Sequence, residues 1–99
     1  MDIRLITYDY ASFTVDTGES DFDVADEVNA LFNNVTVAKN VVIFFDQEIN
    51  IKFNSTLMPV VTFTKDMSPF RSPPRFLDLK NIYLTNTSGT MCKMSIWLW

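Results

Sequence analysis

The chain has no histidine and a single cysteine, Cys92, in 99 residues. The first absence removes every catalytic triad that relies on imidazole and every zinc site built from cysteine and histidine. The second removes disulfides within the chain. It also leaves Cys92 without an imidazole base to make it a nucleophile, so a small buried apolar residue is expected there. Glycine is scarce as well. Only Gly18 and Gly89 occur, each where a turn is plausible. No apolar run approaches the roughly 20 residues of a membrane-spanning helix. The opening stretch "MDIRLITYDY" carries Asp2, Arg4 and Asp9 and has no long apolar core, so no targeting segment is expected.

Aromatic and β-branched residues are plentiful. Nine Phe, three Tyr and two Trp, with many Val and Ile, bring the apolar fraction to 47%, which is that of a folded chain. Such side chains suit a pleated, half-buried surface. The length corresponds to one small domain with a modest core. Charge is uneven. Residues 1–48 hold ten acids against Arg4 and Lys39, a net of −8, and residues 49–99 hold six bases against Asp66 and Asp78, a net of +4. Either the halves interleave and neutralise one another, or the acidic face of one copy meets the basic face of another.

Periodicity places the elements. "IRLITYDYASFTV" (3–15) predicts one or two strands with a break near Ala11-Ser12, and "DTGES" (16–20) predicts a turn. Val24, Val28, Leu31 and Phe32 fall at i, i+4, i+7 and i+8, which predicts a short helix over 21–32, with Ser20 and Asp23 forming a capping box. "VTVAKNVVIFF" (35–45) reads as a strand. Its end, "VVIFF", is apolar on both faces and therefore central or covered by another chain. In "EINIKFN" (48–54) polar and apolar residues alternate strictly, and Asp46-Gln47 between the two runs predicts a hairpin. A further strand is expected within 57–66. The proline-bearing stretch 67–76, with Phe70, Arg71 and Arg75, reads as a stiff crossing loop. Strands are expected over 77–85, with a break near Lys80-Asn81, and over 91–99, joined by a hairpin at "NTSG" (86–89). That tetrad lacks the lysine and second glycine of a phosphate loop.

Few groupings suggest chemistry. Asp23 with Asp26 or Glu27 would share one helix face, but the solvated one, whereas carboxylate pairs that do acid–base work are usually buried. "DTGESDFD" (16–23) offers acids without calcium-loop spacing. Arg71, Arg75 and Phe76 form the only basic–aromatic patch, and the acidic half opposes it, so neither nucleic acid nor membrane is an expected partner. The Asn-x-Ser/Thr triplets at Asn34, Asn54 and Asn86 read as bystanders. Trp97 and Trp99 differ in kind. They lie on the strand face opposite Met94, Ile96 and Leu98, and tryptophan there points to a protein interface or to stacking on sugars.

The runs "VVIFFDQEINIKFNST", "SPF" and "LKNIYLTNTSG", followed by a closing strand, resemble small virion proteins of tailed bacteriophages over residues 37–99. That resemblance implies an all-β antiparallel sandwich or jelly roll with one short helix. It implies a non-enzymatic structural role, such as a capsid decoration or cement protein or a head–tail accessory protein, made in the host cytoplasm and carried on the virion. It further implies a homo-oligomer such as a trimer, contacts with other virion proteins such as the major capsid protein, and no cofactor. No site residues transfer, because such proteins act by surface packing. Interface candidates from the residues themselves are Trp97, Trp99, Phe70, Arg71, Arg75 and Phe44. The alternative is a carbohydrate- or receptor-binding module using Trp97 or Trp99.

Overall fold

The structure, a computed structural model, describes residues 7–73 and 76–99. Among these residues eight strands run in chain order: β1 (Asp9–Val15), β2 (Phe22–Asp23), β3 (Val41–Phe45), β4 (Ile49–Phe53), β5 (Val61–Phe63), β6 (Phe70–Arg71), β7 (Ile82–Thr85) and β8 (Cys92–Leu98). One helical turn, α1 (Val24–Glu27), follows β2. The strands form two antiparallel four-stranded sheets, ordered β1-β8-β3-β6 and β2-β7-β4-β5. The chain is thus all-β. The pairings are nested, with β1 on β8, β2 on β7, β3 on β6 and β4 on β5.

One hydrophobic core draws on both sheets. Val41, Ile43 and Phe45 of β3, and Met94, Ile96 and Leu98 of β8, meet Ile49 and Ile51 of β4 and Ile82 and Leu84 of β7. Alternation produces this directly, because every second side chain of a strand points to the same face. β4 buries Ile49, Ile51 and Phe53 and leaves Asn50 and Lys52 half-exposed, as its pattern predicts. β8 buries Cys92, Met94, Ile96 and Leu98.

Both predicted hairpins are corrected. β3 and β4 belong to different sheets, and so do β7 and β8. Each edge of β3 is already occupied, one by β8 and the other by β6, so β4 has no place beside it. Asp46 instead stays with β8, its Oδ1 accepting the Lys93 N–H at 2.8 Å, before the chain crosses over. "NTSG" is a turn, but one that joins sheets. Asn86 is fully buried, and its Nδ2 donates to the Val15 and Thr90 carbonyls at 2.9 and 2.8 Å. Its Oδ1 accepts from the Ser88 N–H and hydroxyl, and Gly89 takes φ +81°. Among the described residues, β4 and β5 are the only consecutive strands that pair with each other.

The helix over 21–32 shrinks to one turn. Phe22 and Asp23 pair with Leu84 and Tyr83 of β7, and Val28 is extended. Asp23, not Ser20, caps the turn, accepting from the Asp26 N–H at 3.1 Å. The four apolar positions nevertheless reach the core. Val24 and Leu31 are buried, and Val28 and Phe32 pack against them, with Phe32 at φ +55°. A helix this short has little stability of its own, so tertiary contacts set its length.

Other boundaries move less. β1 is continuous through Ala11-Ser12, and the part of that prediction before residue 7 lies outside the described residues. Residues 35–40 are irregular apart from a bridge between Ala38 and Leu79. The run 57–66 keeps only β5, with a 3₁₀ turn at Lys65–Met67. The loop 67–76 contains a short strand, β6. The break expected near Lys80-Asn81 is present. There Asn54 Oδ1 accepts both backbone N–H groups, at 2.6 and 3.3 Å, so Leu79 and Ile82 are both buried.

Candidate interaction face

The outer face of the β1-β8-β3-β6 sheet gathers the exposed aromatic residues. Register explains how. Tyr10, Trp97, Val42 and Arg71 form one row across β1, β8, β3 and β6, and Ser12, Ser95 and Phe44 form the next. Trp97 is 41% exposed, Trp99 40% and Phe44 42%, high values for large apolar side chains in or beside a sheet. Trp97 is held by its neighbours. Its ring stacks on Tyr8 with centroids 5.6 Å apart and leans on Tyr10 at 4.8 Å. Such pairs stabilise by about 0.5–1.5 kcal/mol beyond area burial. Val42 is buried although it faces outward, and a recess of about 320 Å³ opens among Val42, Phe44, Arg71, Trp97 and Trp99.

A line of hydroxyls flanks the rings. Tyr10 Oη, Ser12 Oγ and Ser95 Oγ are linked by hydrogen bonds of 2.8 Å. The Ser12 and Ser95 hydroxyls hold the Tyr10 phenol below its ordinary pKa. Beyond them Phe44, Lys93 and Asp46 border a second depression.

Of the six residues proposed from sequence, the fold brings four together here: Trp97, Trp99, Phe44 and Arg71. Phe70 faces the other way, because its partner in register, Ile43, is an inward residue of β3. It packs on Phe53, Phe63 and Phe76. Arg75 lies outside the described residues. Tyr8 and Tyr10 join the face without having been singled out. Their signal was the parity of Tyr8, Tyr10, Ser12 and Thr14 in a strand whose alternate residues Asp9, Ala11 and Val15 are buried.

Away from this face, several polar groups of the described residues hold the fold together. Asp9, only 3% exposed, accepts backbone N–H bonds from Asn33 and Val35 at 2.9 Å and from Asn34 at 3.3 Å. Burial pushes its pKa up, but these bonds outweigh it and hold the carboxyl below its ordinary value. Asp23 Oδ1 is taken by the α1 cap and by Asn81 Nδ2 at 2.7 Å, so it is not half of a free carboxylate pair. Cys92 is buried, and desolvation raises its pKa, the opposite of what a nucleophilic thiol requires. Among the described residues, no group of three His, Cys, Asp or Glu side chains is placed to hold a metal ion. The two charge halves interleave in part. Lys52 Nζ lies 3.1 Å from Asp21 Oδ1 in an ion pair, and Lys39 pairs with Asp78.

No protein-family model, curated protein or solved structure matches this chain.

Proposed function

We propose that this chain is a non-enzymatic structural protein of a tailed-bacteriophage virion, of the capsid decoration or cement type. In this reading it is an eight-stranded jelly roll that works by packing its aromatic sheet face against neighbouring proteins. The fold reading is supported by the nested strand pairs, which describe one long hairpin rolled into two sheets. The virion reading is supported by the sequence resemblance over residues 37–99. The role of the face rests on one observation. Tyr8, Tyr10, Phe44, Trp97 and Trp99 are together exposed on a single sheet surface. Contiguous apolar area of this kind marks an interaction site, and aromatic and arginine side chains are the usual anchors of one.

The test replaces Trp97 and Trp99 with Ser and compares native mass and particle binding with the parent chain. Both side chains project from the outer face, so the variant folds. Loss of higher assembly or of capsid binding supports the packing role, and unchanged mass and binding overturn it. A second reading follows from the same exposure, since a free tryptophan platform can stack on sugars. Tryptophan emission that shifts on adding oligosaccharides favours that reading. Emission that is blue-shifted only in the assembled state favours packing.

A further inference from the structure

A second apolar surface lies away from the sheet face, on the side where edge strands β5 and β6 face one another. Among the described residues each of these strands pairs on one side only. Between them is a recess of about 410 Å³ whose walls include Phe53, Met58, Val61, Phe63, Phe70 and Phe76. The four phenylalanine rings contact one another at centroid distances of 5.0–6.1 Å and form a continuous aromatic floor.

Beside the recess stands a projection. Leu57, at the tip of the β4–β5 loop, is 94% exposed, and Val60 and Val61 beside it are exposed too. The loop does not fold Leu57 into the neighbouring recess, because polar bonds fix it in an outward turn. The Leu57 N–H donates to Ser55 Oγ at 3.1 Å, and the Met58 N–H to the Ser55 carbonyl at 3.1 Å. Asn54, at φ +70°, anchors the base of the loop through Nδ2 to the Asp78 carbonyl at 2.8 Å. An apolar side chain already held in a docking position loses little further freedom on binding.

We propose that this surface binds a second copy of the same chain, with Leu57 of each copy seated in the aromatic recess of the other about a twofold axis. Two observations select a second copy as the occupant. The surface carries both a knob and a hole, as a self-complementary twofold contact requires. Its loop and edge strand are also free of charge. Residues 53–64 contain no Asp, Glu, Lys or Arg, although one residue in five of the whole chain is charged. Two molecules with net charge −4 can therefore bring their 53–64 segments together without opposing like charges within them. The contact is separate from the outer aromatic face, so a chain carrying both can extend beyond a closed dimer.

The experiment uses the full chain with Trp97 and Trp99 replaced by Ser, which removes the outer face from play. Mass is measured by light scattering behind a sizing column from about 1 to about 100 µM. A dimer is expected. Adding Leu57→Asp is expected to weaken it by at least about tenfold while leaving the far-ultraviolet circular dichroism unchanged, because the side chain it replaces lies in solvent. A photo-crosslinking amino acid at position 57 is expected to capture peptides of the other copy from the recess walls. A monomer before Leu57→Asp is added overturns the contact and leaves the outer-face reading standing. A dimer indifferent to Leu57→Asp, or crosslinks that map elsewhere, overturns it as well. A monomer that takes up a detergent or fatty acid in the recess overturns it in favour of a small apolar ligand.

Discussion

Replacing Asp9 tests how much of the fold hangs on one buried carboxylate. Asp9 begins β1, yet its side chain serves the distant segment 33–35 by accepting three backbone N–H groups. Asp9→Ala removes the acceptor from all three. The Val35 donor is fully buried and bears the whole penalty of an unsatisfied group, about 2–3 kcal/mol. The Asn33 and Asn34 donors are partly buried, so water entering the vacated space recovers much of theirs, leaving about 1 kcal/mol between them. The expected loss is about 3–4 kcal/mol, a large share of the stability of a domain this size. Asp9→Asn should lose only about 1–2 kcal/mol. Its amide oxygen can take the place of Oδ2, which serves both Asn33 and Val35, and only the longer Asn34 bond is then replaced by an opposed amide. Urea unfolding near neutral pH measures both variants.

The acid dependence of Asp9 follows from its lowered pKa. Ionised Asp9 stabilises the fold fully above the unfolded carboxylate pKa of about 3.9, and that contribution is lost as pH falls through the lower folded value. The parent should therefore lose more stability on acidification below about pH 4 than Asp9→Asn does. A loss below about 1 kcal/mol for Asp9→Ala, or an Asn variant no better than Ala, would refute the role assigned to Asp9, and so would an Asn variant with the same acid dependence as the parent.

Four further substitutions examine the rest of the fold. Asn86→Asp replaces the one Nδ2 group that donates to the Val15 and Thr90 carbonyls with an oxygen facing both, so a loss of about 3 kcal/mol or more is expected in the same denaturant assay. Leu84→Ala, at a fully buried position of β7, should lose about 3–5 kcal/mol in thermal or denaturant unfolding. Gly18→Ala and Gly89→Ala meet no neighbouring atom, so the cost of about 1–2 kcal/mol expected from their positive φ is backbone strain alone. Calorimetry should find each costing far less than Leu84→Ala.

Several features of this protein are legible along the chain. Strict alternation in "EINIKFN" determines which face of β4 is buried, because the pleat repeats every two residues. The same rule separates Trp97 and Trp99 from Met94, Ile96 and Leu98. The β-branched and aromatic composition determines the all-β class. The parity slip between Leu79 and Ile82 marks the break that Asn54 holds open. Even the failed helix had its inward residues right, since Val24 and Leu31 are buried whether or not a helix carries them there.

Tertiary structure alone decided which strands pair. Periodicity specifies a face but not a neighbour, and backbone hydrogen bonding is satisfied equally well by any edge that is free. β3 and β4 look like a hairpin until β8 and β6 claim both edges of β3. β7 and β8 look like another until Asn86 ties their turn to Val15, 71 residues earlier in the chain. Phe70 and Arg71 are adjacent in sequence, and only the register of β6 on β3 sends one inward and the other to the aromatic face. Side-chain alternation is local and can be read in order. Pairing is a competition among segments far apart in the chain, and it is resolved only when one compact core satisfies all of them together.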